Sequence, residues 1–124
     1  MKPLSISEEL QSLIKEMRRR IPDLLYSAVI SADGLVIVAD LPPEVDEDLF
    51  AATQAALISV SERVVGEVGI GPLSEIVVAG DRGRVVAMQA GPEAILVSVV
   101  PADVKLGLLL VEMRRLAKEI ASKF

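Results

Sequence analysis

Apolar positions recur along this chain in two rhythms, and the switches between them mark its elements. From Ser5 to Ile21 they return every three or four residues, at Leu10, Leu13, Ile14, Met17 and Ile21, while Lys15, Glu16, Arg18, Arg19 and Arg20 lie mostly off that stripe. This is the period of an amphipathic helix. Ser5 and Glu8 stand at capping-box spacing, and Pro22 supplies the stop. The rhythm then changes to that of strands over 24–32 and 35–40, joined by Asp33-Gly34, a pair suited to a tight hairpin. Leu41-Pro42-Pro43 ends the second strand. Three further strands are predicted over 73–80, 84–90 and 94–100. Asp81-Arg82-Gly83 connects the first two, with Gly83 in the left-handed position of a three-residue hairpin, and Gly91-Pro92-Glu93 makes the next turn. Asp103 is placed to cap a last helix, 104–123, with Leu109, Met113, Leu116, Ala117, Ile120 and Phe124 inward.

Between these blocks lies the segment 46–71, whose pattern is unusual. It opens with Asp46, Glu47 and Asp48, which favour the positive end of a helix dipole, and runs without proline to Gly71. Phe50, Leu57, Val64 and Val68 form one apolar stripe, and Ala51, Ala55, Ile58 and Val65 a second. Ala52, Ala56 and Ser59 add a ridge of small side chains, and no charge occurs between Leu49 and Ser61. A helix apolar around most of its circumference must be covered on more than one side. One cover is expected to be the protein's own sheet and the other a second protein surface.

The strand 94–100 is apolar on both faces and belongs in the middle of a sheet covered on both sides. The strand 73–80, with Ser74, Glu75 and a terminal glycine, reads as an edge, open to pairing with another chain. The order of elements predicts an α+β fold: one domain over 1–124, built on a single five-stranded antiparallel sheet with helices on both faces.

Composition narrows the function. Apolar residues make up 52% of the chain and aromatics 2%, so Val, Leu, Ile and Ala must build the core. A net charge of −5 and the scarcity of aromatic rings argue against nucleic acid, which needs cations and stacking surfaces. There is no Cys and no His, which excludes thiol chemistry and His-ligated metal. The first ten residues lack a signal-peptide core and no apolar run is long enough to span a bilayer, so a cytoplasmic chain without direct membrane insertion is expected.

Chemistry-bearing constellations are sparse. Gly66-Glu67-Val68-Gly69-Ile70-Gly71 is glycine-rich but closes a helix instead of opening one, so it reads as a terminator. Glu44, Asp46, Glu47 and Asp48 lack the spacing of a calcium loop. Ser59, Ser61 and Ser98 have no His to activate them. Arg63, Arg82 and Arg84 could each serve as a finger in GTP hydrolysis, but Arg63 beside Glu62, and the other two at a hairpin tip, better suit surface charge. Arg18-Arg19-Arg20 could attract acidic lipid or a partner's acidic patch, but three charges at a helix end more often just complement the dipole. No cofactor or metal is expected, nor an enzyme.

Ser31-Ala32-Asp33-Gly34-Leu35, Ala51-Ala52 to Ala56-Leu57, Ser61-Glu62-Arg63, Gly71-Pro72-Leu73 with Glu75, Gly80 with Gly83, Ala90-Gly91, and Leu106-Gly107-Leu108-Leu109 together resemble the roadblock (dynein light chain) family over nearly the whole chain. Ser27-Ala28 departs from the Gly-Ala often found there. The resemblance implies the profilin-like order αββαβββα and a homodimer, or a heterodimer with another roadblock protein. Its middle helices would pack together and its third strands pair, placing Ala51, Ala55, Ile58, Glu75, Val77 and Ala79 at the interface. It also implies a non-enzymatic platform for a Ras-like small GTPase, with Ala52, Ala56, Ser59, Glu62 and Arg63 meeting the partner. MglB-type gliding-motility regulators within the family act as GTPase-activating proteins without donating an Arg. The alternative is a structural adaptor in a larger dynein-like or signalling assembly, with no effect on hydrolysis.

Overall fold

The computed structural model describes residues 4–124, so the first three residues of the expected domain lie outside it. Its elements are α1 (Ile6–Arg20), β1 (Tyr26–Ser31), β2 (Val36–Asp40), α2 (Glu47–Val68), β3 (Ile76–Gly80), β4 (Gly83–Ala90), β5 (Ala94–Pro101) and α3 (Leu106–Ala121). The strands form one antiparallel sheet in the order β2-β1-β5-β4-β3. The α+β architecture and the order αββαβββα are as the pattern predicts.

β5 lies at the centre because both its faces are apolar. Leu96 and Val100 belong to a core shared with Leu10, Met17, Met113 and Ile120, which places α1 and α3 together on one face. Ile95 and Val97 belong to a separate core with Ala51 and Ile58, so α2 covers the other face alone. Two helices thus shield one side of five strands and a single helix the other.

The helix ends follow local chemistry. Ser5 Oγ accepts from the Glu8 N–H at 3.2 Å and donates to the Glu8 carboxylate at 3.0 Å. Asp46 Oδ1 accepts from the Leu49 N–H at 3.1 Å at the start of α2. That helix closes at Gly69, with φ 66°, the Ile70 N–H donating to Val65 O and the Gly69 N–H to Gly66 O. This is the pair of bonds that defines a Schellman motif, and it confirms the glycine-rich segment as a terminator. Arg18 ties α1 to the sheet, donating to Asp40 Oδ2 and to the Leu25 carbonyl.

Three local expectations are corrected. Asp33-Gly34 is not a two-residue turn: the loop spans Ala32–Leu35, and of that pair only Gly34 has positive φ, whereas a type I′ turn needs both. Gly83 is not left-handed. It is required because a Cβ there would lie 2.9 Å from the Val100 carbonyl oxygen on β5. Asp103 does not cap α3; the cap position falls on Lys105, whose side chain makes no capping bond.

Candidate functional site

α2 is buried against the sheet more fully in its first half than in its second. Its inward positions Ala51, Gln54 and Ile58 are buried, with Ala51 at 0% exposure and Ile58 at 3%. Beyond Ile58 no residue of the helix is buried, and the inward positions Ser61 and Val65 are half-buried. Leu49, Val60, Val64 and Val68 are 62%, 59%, 54% and 64% exposed. Exposed aliphatic side chains usually stand singly on a protein surface, whereas these four share one helix.

Helical spacing sorts the exposed positions into two flanks. Ala52, Ala56, Ser59 and Arg63 follow one another at intervals of four, three and four, all exposed, with Glu62 exposed beside them. Leu57, Val60, Val64 and Val68 form the second flank, of which only Leu57 is half-buried. One side of the helix is therefore low and polar at its end, and the other is greasy. The expected platform residues share a surface. Neither Glu62 nor Arg63 forms an ion pair among the described residues.

The stripe assigned to a second subunit needs correction. Ala51, Ala55 and Ile58 pack into the core beneath α2, so the chain's own sheet already covers them. Their small size has a local cause. Gly34, at the tip of the β1–β2 connection, rests on this helix: a Cβ on it would meet Ala52 Cα at 3.4 Å, Ala55 Cβ at 3.5 Å and Ala51 O at 3.8 Å. The alanines and Gly34 are two halves of one close contact. Leu49 and Val60 were not singled out from sequence. The signal was available in their spacing from Ala56, once the inward stripe is known to be the one through Ala51 and Ile58.

β3 is the second element of the site. It pairs with β4 alone, leaving its outer edge unpaired. Val77 and Val78 are exposed on opposite faces of this strand, and Ala79 is exposed after them. Glu75 is half-buried just before it and accepts from Arg114 Nη2 at 2.9 Å, so this expected contact residue is already engaged within the chain. On the α2 side, Val78, Val85 and Val99 line an open groove of about 630 Å³ with Arg82 and Arg84 at its rim. Single-helix coverage leaves this part of the sheet unroofed. Arg84 Nη1 donates to the Gly80 and Gly83 carbonyls at 3.0 and 3.1 Å, which gives it a structural task at the β3–β4 turn.

Candidate chemistry elsewhere is limited. Ser98 is buried and its hydroxyl donates to Met113 Sδ at 3.1 Å. No group of acidic residues suited to a metal ion occurs among the described residues. No helix there is long and apolar enough to cross a membrane.

A family model for the Roadblock/LC7 domain matches residues 10–99. The uncharacterized protein MJ1340 of Methanocaldococcus jannaschii is 39% identical over 98 residues, covering 79% of this chain and 85% of that protein. Among solved structures, the gliding protein MglB of Thermus thermophilus superposes with a TM-score of 0.84 at 20% identity, covering 99% of this chain and 93% of the other. A Roadblock/LC7 domain from Streptomyces avermitilis does so with a TM-score of 0.80 at 25% identity, covering 88% and 92%. Matched across most of its length by the family's pattern, and folded on the same five strands and three helices, this chain belongs to the Roadblock/LC7 domain family.

Proposed function

We propose that the protein is a dimeric, non-catalytic platform that binds a Ras-like small GTPase and regulates it. The observation that carries this reading is the exposed side of α2, whose two flanks differ in character. The greasy flank of Val60, Val64 and Val68 suits the matching helix of a second copy, while the unpaired edge of β3, at Val77 and Ala79, suits strand addition between copies. The groove over Val78, Val85 and Val99 leaves room for such a partner on the same face.

The other flank would then run across the top of the dimer. Ala52, Ala56 and Ser59 form a floor low enough for another protein's backbone to approach closely, and Glu62 and Arg63 supply unpaired polar groups at its end. Preferential binding of the GTP-bound arrangement of the partner's loops would shift that partner's population by differential affinity. The MglB fold likeness supports this reading, and stimulation of GTP hydrolysis is the form of regulation we favour.

Affinity capture from source lysate in a non-hydrolysable GTP analogue tests the partner class: recovery of a small GTPase supports it. Ala56→Arg should abolish that capture while the variant stays folded. Unchanged capture by the variant would remove this flank from the docking surface. Binding without any increase in GTP turnover would favour an adaptor over an activating protein.

A further inference from the structure

The alanine flank of α2 has a neighbour from the sheet. Gly34 rests against Ala52 and Ala55, so the β1–β2 tip stands beside the ridge that carries Ala52, Ser59 and Glu62. The next residue of the tip, Leu35, is 66% exposed, and Leu49, one turn before Ala52, is 62% exposed. Two open leucines thus border the lowest stretch of the helix. Ser31 holds the tip in shape, accepting from the Gly34 N–H at its carbonyl and from the Leu35 N–H at its hydroxyl, both at 3.0 Å. Little ordering of Leu35 therefore remains to be done when something binds over it.

Charge on this surface is one-sided. α2 and the loop before it carry Glu44, Asp46, Glu47, Asp48, Glu62 and Glu67 against Arg63, and Asp33 stands on the tip. None of these groups is in an ion pair among the described residues. The helix dipole accounts for the carboxylates of the first turn, but not for Glu62, nor for Glu67 in a last turn that holds no basic residue. Arg82 and Arg84 rim the groove at the β3–β4 turn, together with Asp81. That turn and the β1–β2 tip lie at opposite ends of the sheet, because Gly83 pairs with Pro101 and Ser31 with Ala94, the two ends of β5. Asp48 precedes Ala52 by four residues and Glu62 follows Ser59 by three, so both lie along the ridge. Around the alanines the balance is therefore Asp33, Asp48 and Glu62 against Arg63.

We propose that the β1–β2 tip is part of the GTPase platform and that this acidic flank takes a basic face of the partner. Leu35 and Leu49 cover apolar side chains of the partner above Ala52 and Ala56, while Asp33, Asp48 and Glu62 meet its lysines and arginines. The inference rests on the platform reading and adds to it the chemistry of the surface that docks. Carboxylates around an apolar centre speed the encounter and fix its orientation, and the apolar contacts set how long the complex lasts. The same charges disfavour a second copy of this chain here, because one acidic flank would face another. That separates this flank from the greasy one, which carries no such border.

The test uses the small GTPase recovered by the capture described above, purified and loaded with the non-hydrolysable GTP analogue, and reads association and dissociation rates by stopped flow. Asp33→Asn combined with Glu62→Gln should slow association about tenfold at low salt, with the gap to the parent closing as salt is added. Leu35→Ser should raise the dissociation rate roughly tenfold, the effect of withdrawing one aliphatic side chain from cover. Its Tm should stay at the parent value, since that side chain is already open in the single chain. Asp23→Asn combined with Glu119→Gln removes the same charge on the α1/α3 side and should leave association unchanged. Recovery of no GTPase would overturn the platform reading and this inference with it. Recovery followed by parental rates in Leu35→Ser, or by association that ignores salt, would overturn this inference alone. Equal slowing by the α1/α3 pair would assign the effect to net charge and overturn it too. If Leu35→Ser weakens self-association while the GTPase rates stay parental, a second copy occupies the flank and the inference is wrong.

Discussion

Val64→Glu separates the two halves of the proposed platform. Val64 is 54% exposed in the single chain, so covering the remainder in a dimer is worth about half of a buried Val side chain, about 1 kcal/mol. In a two-fold contact each substitution occurs twice, which raises the loss from area alone to about 2 kcal/mol. That corresponds to a roughly thirtyfold rise in the dimer dissociation constant. A carboxylate facing an apolar flank without a partner adds a desolvation cost, so the thirtyfold figure is a lower bound. The isolated chain should respond in the opposite sense. An exposed substitution shifts stability by no more than about 0.5 kcal/mol, and Glu is a better helix former than Val. Sedimentation velocity across a dilution series would read the dissociation constant. Thermal unfolding at a concentration where both proteins are monomeric would read the fold. A parent that sediments as a monomer at every concentration, or a variant with an unchanged dissociation constant, would refute the assignment of this flank to a second copy.

Two further substitutions test the fold that holds the platform. Gly83→Ala should cost about 1–3 kcal/mol, because the new Cβ meets the backbone of the central strand at 2.9 Å and that strand cannot retreat; the urea midpoint should fall with an unchanged m-value. Gln54→Met should be neutral or stabilising by about 1 kcal/mol, since Gln54 is 7% exposed and its Oε1 has no hydrogen-bond partner among the described residues. A marked loss of stability in that variant would show that Oε1 is satisfied after all.

The sheet was legible in the sequence because strand burial writes itself into local composition. The strand 94–100 is apolar on both faces, and such a strand has a stable place only between two covering layers. The strand around Ile76–Gly80 ends in glycine and carries polar residues before it, as an edge strand can. Turn geometry was less legible, since Asp33-Gly34 and Gly83 are shaped by what they touch. Gly34 lies against α2, and Gly83 lies against the Val100 carbonyl, and neither neighbour is close in sequence. α3 gave a similar error: Asp103 is a better capping residue than Lys105, and local preference yielded to where the helix begins.

The facing of α2 was the harder problem, and the reason is physical. When a helix is apolar around most of its circumference, periodicity detects two stripes but carries no label saying which meets its own sheet. Side-chain size is a tempting label, on the reasoning that small residues mark contact between chains. Ala51 and Ala55 show why that fails, because a close contact within the chain demands small residues just as strictly. What distinguishes the stripes is burial read position by position. Ala51, Gln54 and Ile58 are buried and their line continues half-buried through Ser61 and Val65, whereas Val60, Val64 and Val68 stand exposed on a flank that the sheet does not cover. Apolar residues outside a helix's own cover must find cover elsewhere, and it is this flank, more than the row of alanines, that calls for a second protein surface.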